Sequence, residues 1–134
     1  MAHVTVVMNP KGGVGKSTLA TNLAGYYANQ GKIVMLGDVD KQQSAREWLK
    51  FRPATVATIH SWDMEAGKPA KLPKGTTHAV IDTPAGMSGK LLDTVIKSAT
   101  RVIVPLQASM LDILATKSFL EALANDKEIG RAHV

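Results

Sequence analysis

An α/β fold, with a mostly parallel sheet flanked by helices on both faces, is predicted by three observations along these 134 residues. Short runs dense in β-branched and aliphatic residues alternate with longer segments whose apolar residues recur every three to four positions. The runs are apolar almost throughout, as strands buried on both faces are. Aspartates end two of them, at the edge where such sheets bind ligands.

The elements follow in order. His3 to Met8 (HVTVVM) reads as the first buried strand. From Lys16 a helix sets Leu19, Leu23 and Tyr27 four apart, with Ala20, Ala24 and Ala28 beside them, and Gly31 at the C-terminal cap. Ile33 to Leu36 is a second strand running into GDVD, and Gln42 to Phe51 a helix turning Ala45, Trp48 and Leu49 inward. A brief strand is expected near Thr55 to Ile59. The proline- and lysine-rich stretch that follows, to residue 77, is expected to be an exposed loop.

Ala79 to Ile81 is a strand leading into DTPAG, followed by a helix with Leu91, Leu92, Val95 and Ile96 on one side. Arg101 to Leu106 (RVIVPL) reads as another buried strand. A helix from about Met110 to Asn125 carries Ile113, Leu114, Phe119, Leu120 and Leu123, with Ser109 as its N-cap. The closing RAHV looks like the opening of one more strand. A single domain spanning 1–134 is therefore expected, one that continues beyond Val134.

Composition narrows the chemistry. With no cysteine there is no thiolate zinc site, iron–sulfur cluster, catalytic thiol or disulfide. His3, His60, His78 and His133 lie too far apart in sequence for a metal-ligand spacing and are read as surface or boundary residues. No stretch approaches the roughly 20 apolar residues of a membrane span, so a cytoplasmic protein is expected. The net charge of +5 permits attraction to polyanions without requiring it.

The chemical signal is NPKGGVGKST, residues 9 to 18. It departs from the phosphate-loop pattern only where Pro10 replaces the first glycine, and it stands between a buried strand and a helix, as such a loop must. The amides of Gly12, Gly13, Val14, Gly15 and the residues up to Thr18 are expected to cradle phosphate, helped by the helix N-terminus. Pro10, which has no N–H, can begin the loop because those later amides do the holding. Lys16 is placed for the β- and γ-phosphates, Ser17 for Mg²⁺ and Thr18 for a further hydroxyl contact. Two lysines in one cradle repel, so Lys11 is expected to point outward.

Phosphoryl transfer also needs carboxylates for metal and water. Asp82, ending the strand in HAVIDTPAG, is placed to hold Mg²⁺ through water. Asp40 either positions the attacking water or caps the helix after it, and Asp38 is expected to be structural.

With KGGVGKST, GDVD and VIDTP in that order, the chain resembles the ParA/MinD family of deviant Walker-type P-loop ATPases, most closely the short ParA-like partition ATPases. The resemblance runs from the first residue to about Leu120. It implies ATP and Mg²⁺ as cofactors and a P-loop NTPase fold. It also implies that Lys11 reaches the nucleotide of a second subunit in an ATP-dependent homodimer. By the same resemblance Lys11, Lys16 and Asp40 are the catalytic residues, Ser17 and Asp82 the metal-associated ones, and Thr83 and Pro84 the switch. A ParB-like adaptor would stimulate slow hydrolysis, and nonspecific DNA would be bound, making the protein nucleoid-associated.

Three departures from the family pattern are Lys41 for proline, Gly37 for an aliphatic residue and DTPAG for DTPP. Rival expectations are an ATP-dependent enzyme acting on a small molecule on the same fold, a MinD-like cell-division positioning ATPase, and a nucleotide-binding interaction module with little turnover. The nitrogenase iron-protein branch is disfavoured, since it needs cysteine ligands.

Overall fold

The structure is a computed structural model that describes residues 2–9, 15–39, 44–63, 71–84, 87 and 89–124. Five strands form one sheet: β1 (His3–Val7), β2 (Val34–Asp38), β3 (Ile59–Trp62), β4 (His78–Asp82) and β5 (Arg101–Ile103). Four helices alternate with them: α1 (Lys16–Asn29), α2 (Ser44–Lys50), α3 (Gly89–Ser98) and α4 (Met110–Ala124). The spatial order is β3-β2-β4-β1-β5, and every pairing is parallel. The chain steps to one side of β1 for β2, β3 and β4, then crosses to the other side for β5, so β1 sits where the order reverses. Ligands of open α/β sheets bind at the carboxyl ends of strands at such a point.

Strand geometry explains the unbroken apolar runs. Successive side chains point to opposite faces, so a strand covered on both faces needs apolar residues at every position. On one face Val4, Val6, Met8, Met35, Ala79, Ile81 and Val102 form a buried cluster with Val95 and Ile96 of α3 and Leu123 of α4. On the other, Val7, Val34, Leu36 and Val80 meet Ala20, Ala24 and Ala28 of α1 and Ala45 of α2. The alanine row is the most buried face of α1, because only a small side chain lets that helix lie close to the sheet. Leu19, Leu23 and Tyr27 pack beside the row, half-buried. Gly31 adopts φ 78° and donates its N–H to Ala28 O at 3.0 Å, which ends the helix as expected.

Three expectations are corrected. The strand expected at Thr55 to Ile59 lies instead at Ile59–Trp62. The β-branched residues before it are held in a turn by Val56 N–H donating to Pro53 O and by the Arg52 guanidinium donating to Ala57 O. The strand expected from Arg101 to Leu106 stops at Ile103. Pro105 has no N–H to extend the ladder, and its carbonyl accepts the Asn9 side-chain amide instead. The second strand begins at Val34, one residue late, because Ile33 is 48% exposed and its carbonyl is used by the amides of Thr77 and His78.

The last helix runs as expected through the described residues, but with a different buried face. Asp112, Thr116 and Leu123 are buried, whereas Ile113 and Leu114 are about half exposed. Ser109 caps it, accepting the Asp112 N–H on its Oγ at 3.2 Å. Ser109→Ala is expected to cost about 1 kcal/mol of unfolding free energy, the usual value of such a cap, measured by urea denaturation.

Candidate nucleotide site

β1, β2 and β4 end side by side, and their register brings Val7, Asp82 and Asp38 level across the carboxyl edge. Gly15 precedes α1 with φ 85°, a left-handed conformation that side-chain-bearing residues resist, and its carbonyl accepts the Leu19 N–H at 2.9 Å. The first turn of α1 contains no acidic residue. Its N–H groups and positive dipole end therefore favour an external anion.

Lys16 is the first helical residue and is buried, at 8% exposure. Lysine rarely accepts that position unless its charge is compensated. Ser17 follows, and its Oγ donates to Asp82 Oδ2 at 2.5 Å. Asp82 has no solvent exposure. The hydroxyl gives its one proton to the carboxylate, so its lone pairs stay available to a cation. Hydroxyl and carboxylate oxygens are the hard donors Mg²⁺ prefers, and this cation keeps several waters that a nearby carboxylate can hold. The Ser17–Asp82 pair thus fits a bound Mg²⁺. Among the described residues there is no cluster of three or more His, Cys, Asp or Glu side chains that could hold a metal alone, so phosphate oxygens and water would complete its shell.

Neighbouring residues stiffen this arrangement. Thr83 is fully buried and its Oγ1 donates to Val7 O at 2.7 Å, tying the end of β4 to the last residue of β1. Val39 N–H donates to Asp82 O at 3.0 Å. Asp38 accepts the Arg46 N–H on Oδ2 at 2.9 Å, near the start of α2, which is the structural role expected of it. Thr18 is exposed, and its carbonyl accepts from Thr21 Oγ1 and Asn22 Nδ2.

The structure therefore brings together Gly15, Lys16, Ser17 and Asp82. Lys11, Gly12, Gly13, Val14 and Asp40 lie outside the described residues, as does the RAHV segment. Two residues near this edge were not singled out in the sequence. Asn9 is buried at 4% exposure and joins the start of the loop to the β5–α4 connection through Pro105. Asp112 is buried at 3% in the first turn of α4. Its spacing from Thr116 and Leu123 marks one helical face, a signal hidden by the more numerous leucines and isoleucine around it.

Comparison with known proteins agrees with this geometry. The family model of the CobQ/CobB/MinD/ParA nucleotide binding domain matches residues 5–130. The chain belongs to that family. It is 30% identical over 113 residues to the maintenance of carboxysome distribution protein A of Gloeobacter kilaueensis, covering 83% of this chain and 52% of that protein. Over a shorter stretch of 44 residues it is 54% identical to the chromosome-partitioning ATPase Soj of Thermus thermophilus, 33% of this chain and 18% of that one.

The same fold occurs in the cobyrinic acid a,c-diamide synthase of Mycobacterium smegmatis solved with ADP and magnesium. Its TM-score is 0.76 at 23% identity, over 99% of this chain and 72% of that one. It occurs too in pNOB8 ParA bound to nonspecific DNA, with TM-score 0.74 at 18% identity, over 93% and 60% of the two chains. The chain spans about half to three fifths of the length of the curated relatives first matched, 52% and 61%. No helix among its described residues is long and apolar enough to cross a membrane.

Proposed function

We propose that this ParA-type domain is a slow, Mg²⁺-dependent ATPase whose ATP-bound homodimer acts as a switch in DNA partition or in the positioning of an intracellular cargo. The observation that carries the reading is the buried Lys16 and the Ser17–Asp82 hydrogen bond, directly behind the left-handed Gly15 at the head of α1. Lysine, hydroxyl and carboxylate are the three groups that binding a Mg²⁺–triphosphate requires, and here they lie at the carboxyl edge of the sheet.

In this mechanism the first-turn amides of α1 and the Lys16 ammonium hold the β- and γ-phosphates. Ser17 and Asp82 would hold the cation, which would supply charge neutralisation for phosphoryl transfer. Asp40 orients the attacking water, and the amides of Gly12, Gly13 and Val14 complete the cradle. Lys11 reaches the phosphates of the partner subunit, so ATP joins two copies and hydrolysis releases them. Thr83 and Pro84, one and two residues beyond the carboxylate, transmit the change. A ParB-like adaptor accelerates turnover, and nonspecific DNA is the track. The relatives' names, carboxysome distribution and chromosome partitioning, support a switch over a metabolic enzyme.

Light scattering tests the central step. With Mg²⁺ and a non-hydrolysable ATP analogue the native protein is expected to double its mass, whereas with ADP it stays monomeric. Lys11→Ala is expected to bind the analogue and remain monomeric. A native protein that binds the analogue without changing mass would overturn the sandwich reading.

A further inference from the structure

The edge of the sheet opposite the phosphate loop carries a charge pattern that nucleotide chemistry does not use. Because all five strands are parallel, their starts share this amino edge. Across it, in the order β2, β4, β1, β5, stand Lys32 just before β2, Lys74 in the turn before β4, His3 opening β1 and Arg101 opening β5. All four are exposed, as is Lys97 in the last turn of α3. Among the described residues most carboxylates are elsewhere. Asp38, Asp63 and Asp82 end or follow strands at the opposite edge, and Asp112 lies in the first turn of α4. Glu47 and Asp93 are further back on helices, and Glu121, in the last turn of α4, is the one described carboxylate that shares this edge with Lys97. Among the described residues, the segments leading into the five strands contain no acid.

The centre of this edge is a ring cluster built from separate elements. The His3 and His78 rings lie 5.1 Å apart, first residues of adjacent strands paired in register. Tyr27 of α1 lies 4.3 Å from the His78 ring. Lys32 approaches from the connection between α1 and β2. Burial, then His3, then Lys32 hold the His78 pKa below its ordinary value of 6.5. Like charges gathered without a carboxylate repel one another until an anion settles among them.

Its dimensions suit a phosphate backbone. From β2 to β5 there are three strand spacings, about 14 Å at roughly 4.8 Å each. A duplex presents about one negative charge per 1.7 Å of axis, hence about eight over that width. Amphipathic helices dock on acidic lipid by burying an apolar face beside their charges. This edge consists of strand ends and turns, with the hydroxyl residues Thr76, Thr77 and Thr100 between the cations.

We propose that the amino edge of the sheet, centred on His3, Lys32 and His78 and widened by Lys74 and Arg101, docks the phosphate backbone of duplex DNA without reading its sequence. The choice of DNA among polyanions rests on the partition reading above. Bound phosphates favour the protonated imidazole of His78, so docking takes up a proton and tightens as pH falls from 7.5 to 5.5, the region around and below the ordinary histidine value of about 6.5.

Anisotropy of a labelled random-sequence duplex tests this, with the full chain, Mg²⁺ and the ATP analogue present. Native protein is expected to bind with strong salt dependence. The triple variant Lys32→Glu, Lys74→Glu, Arg101→Glu is expected to bind at least about tenfold more weakly and to flatten the salt slope by about 0.9 for each phosphate it no longer neutralises. Lys117→Glu, a charge reversal on α4, should bind as the native protein does, and His78→Gln should lose the tightening at low pH. Nucleotide-dependent mass and circular dichroism verify that the triple variant is folded; should it not be, Lys32→Glu alone is read in its place.

Native affinity in the folded triple variant would overturn this docking face while leaving the partition reading intact. A native protein that binds no duplex at low salt would sink the partition reading together with it. Loss of binding to phosphatidylserine vesicles with DNA binding unchanged would make the edge a membrane-binding face and refute the proposal.

Discussion

Asp82→Asn is expected to remain folded and to lose ATP turnover by about 10- to 100-fold, the usual cost of removing a group that orients a metal's ligands. Asparagine has nearly the same shape as aspartate, and its amide oxygen can still accept from Ser17 Oγ, so the hydrogen bond that ties α1 to β4 survives. The negative charge does not. Without it the waters around Mg²⁺ lose their strongest acceptor, and the charge developing at the transferred phosphoryl group is less well balanced. Phosphate release at saturating ATP, followed against Mg²⁺ concentration, measures the effect, and a thermal melt separates it from unfolding. Native turnover in the folded variant would remove Asp82 from the metal site.

Ile81→Ala should be the most damaging of the core truncations. Ile81 is fully buried in β4, between β1 and β2, where it pairs with Val6 and Gly37 and packs against α3. Deleting three carbons from so enclosed a site leaves a cavity its neighbours cannot fill, at about 2–5 kcal/mol for such substitutions. Domains of this kind hold only about 5–15 kcal/mol in reserve, so a large part of the stability would go. Urea unfolding gives the value. A loss below about 1 kcal/mol would mean that the α3 face is loosely packed, since truncations in tight cores cost more.

The parts of this molecule written in local chemistry were legible in the sequence. The β-branched run of β1 and the alanine row of α1 each state their environment within a few residues, and Gly15 and Ser17 can be assigned from spacing alone. The elements that went astray depend on partners far along the chain. β3 forms at Ile59–Trp62 because those residues align with β2, although Thr55 to Thr58 are as β-branched as any strand. β5 ends early because Pro105 gives its carbonyl to Asn9, 96 residues away in sequence. Composition marked α4 as apolar without showing that its inward face includes Asp112 and Thr116. Likewise the histidines looked scattered, yet strand register makes neighbours of His3 and His78.

The placement of β1 has a bearing on how the chain comes into being. The strand is made first, but its hydrogen-bonding neighbours are β4, at residues 78–82, and β5, at 101–103. At synthesis rates of about 5–20 residues per second, a ribosome takes about 5–20 s to deliver the hundred residues that separate β1 from its second partner. Throughout that interval β2 can find β3, but the most apolar strand of the sheet has only one flank to join at best, and the loop behind it has no fixed base. Until β4 has been made β1 is an unpaired apolar strand, and until β5 follows, one of its two edges stays open.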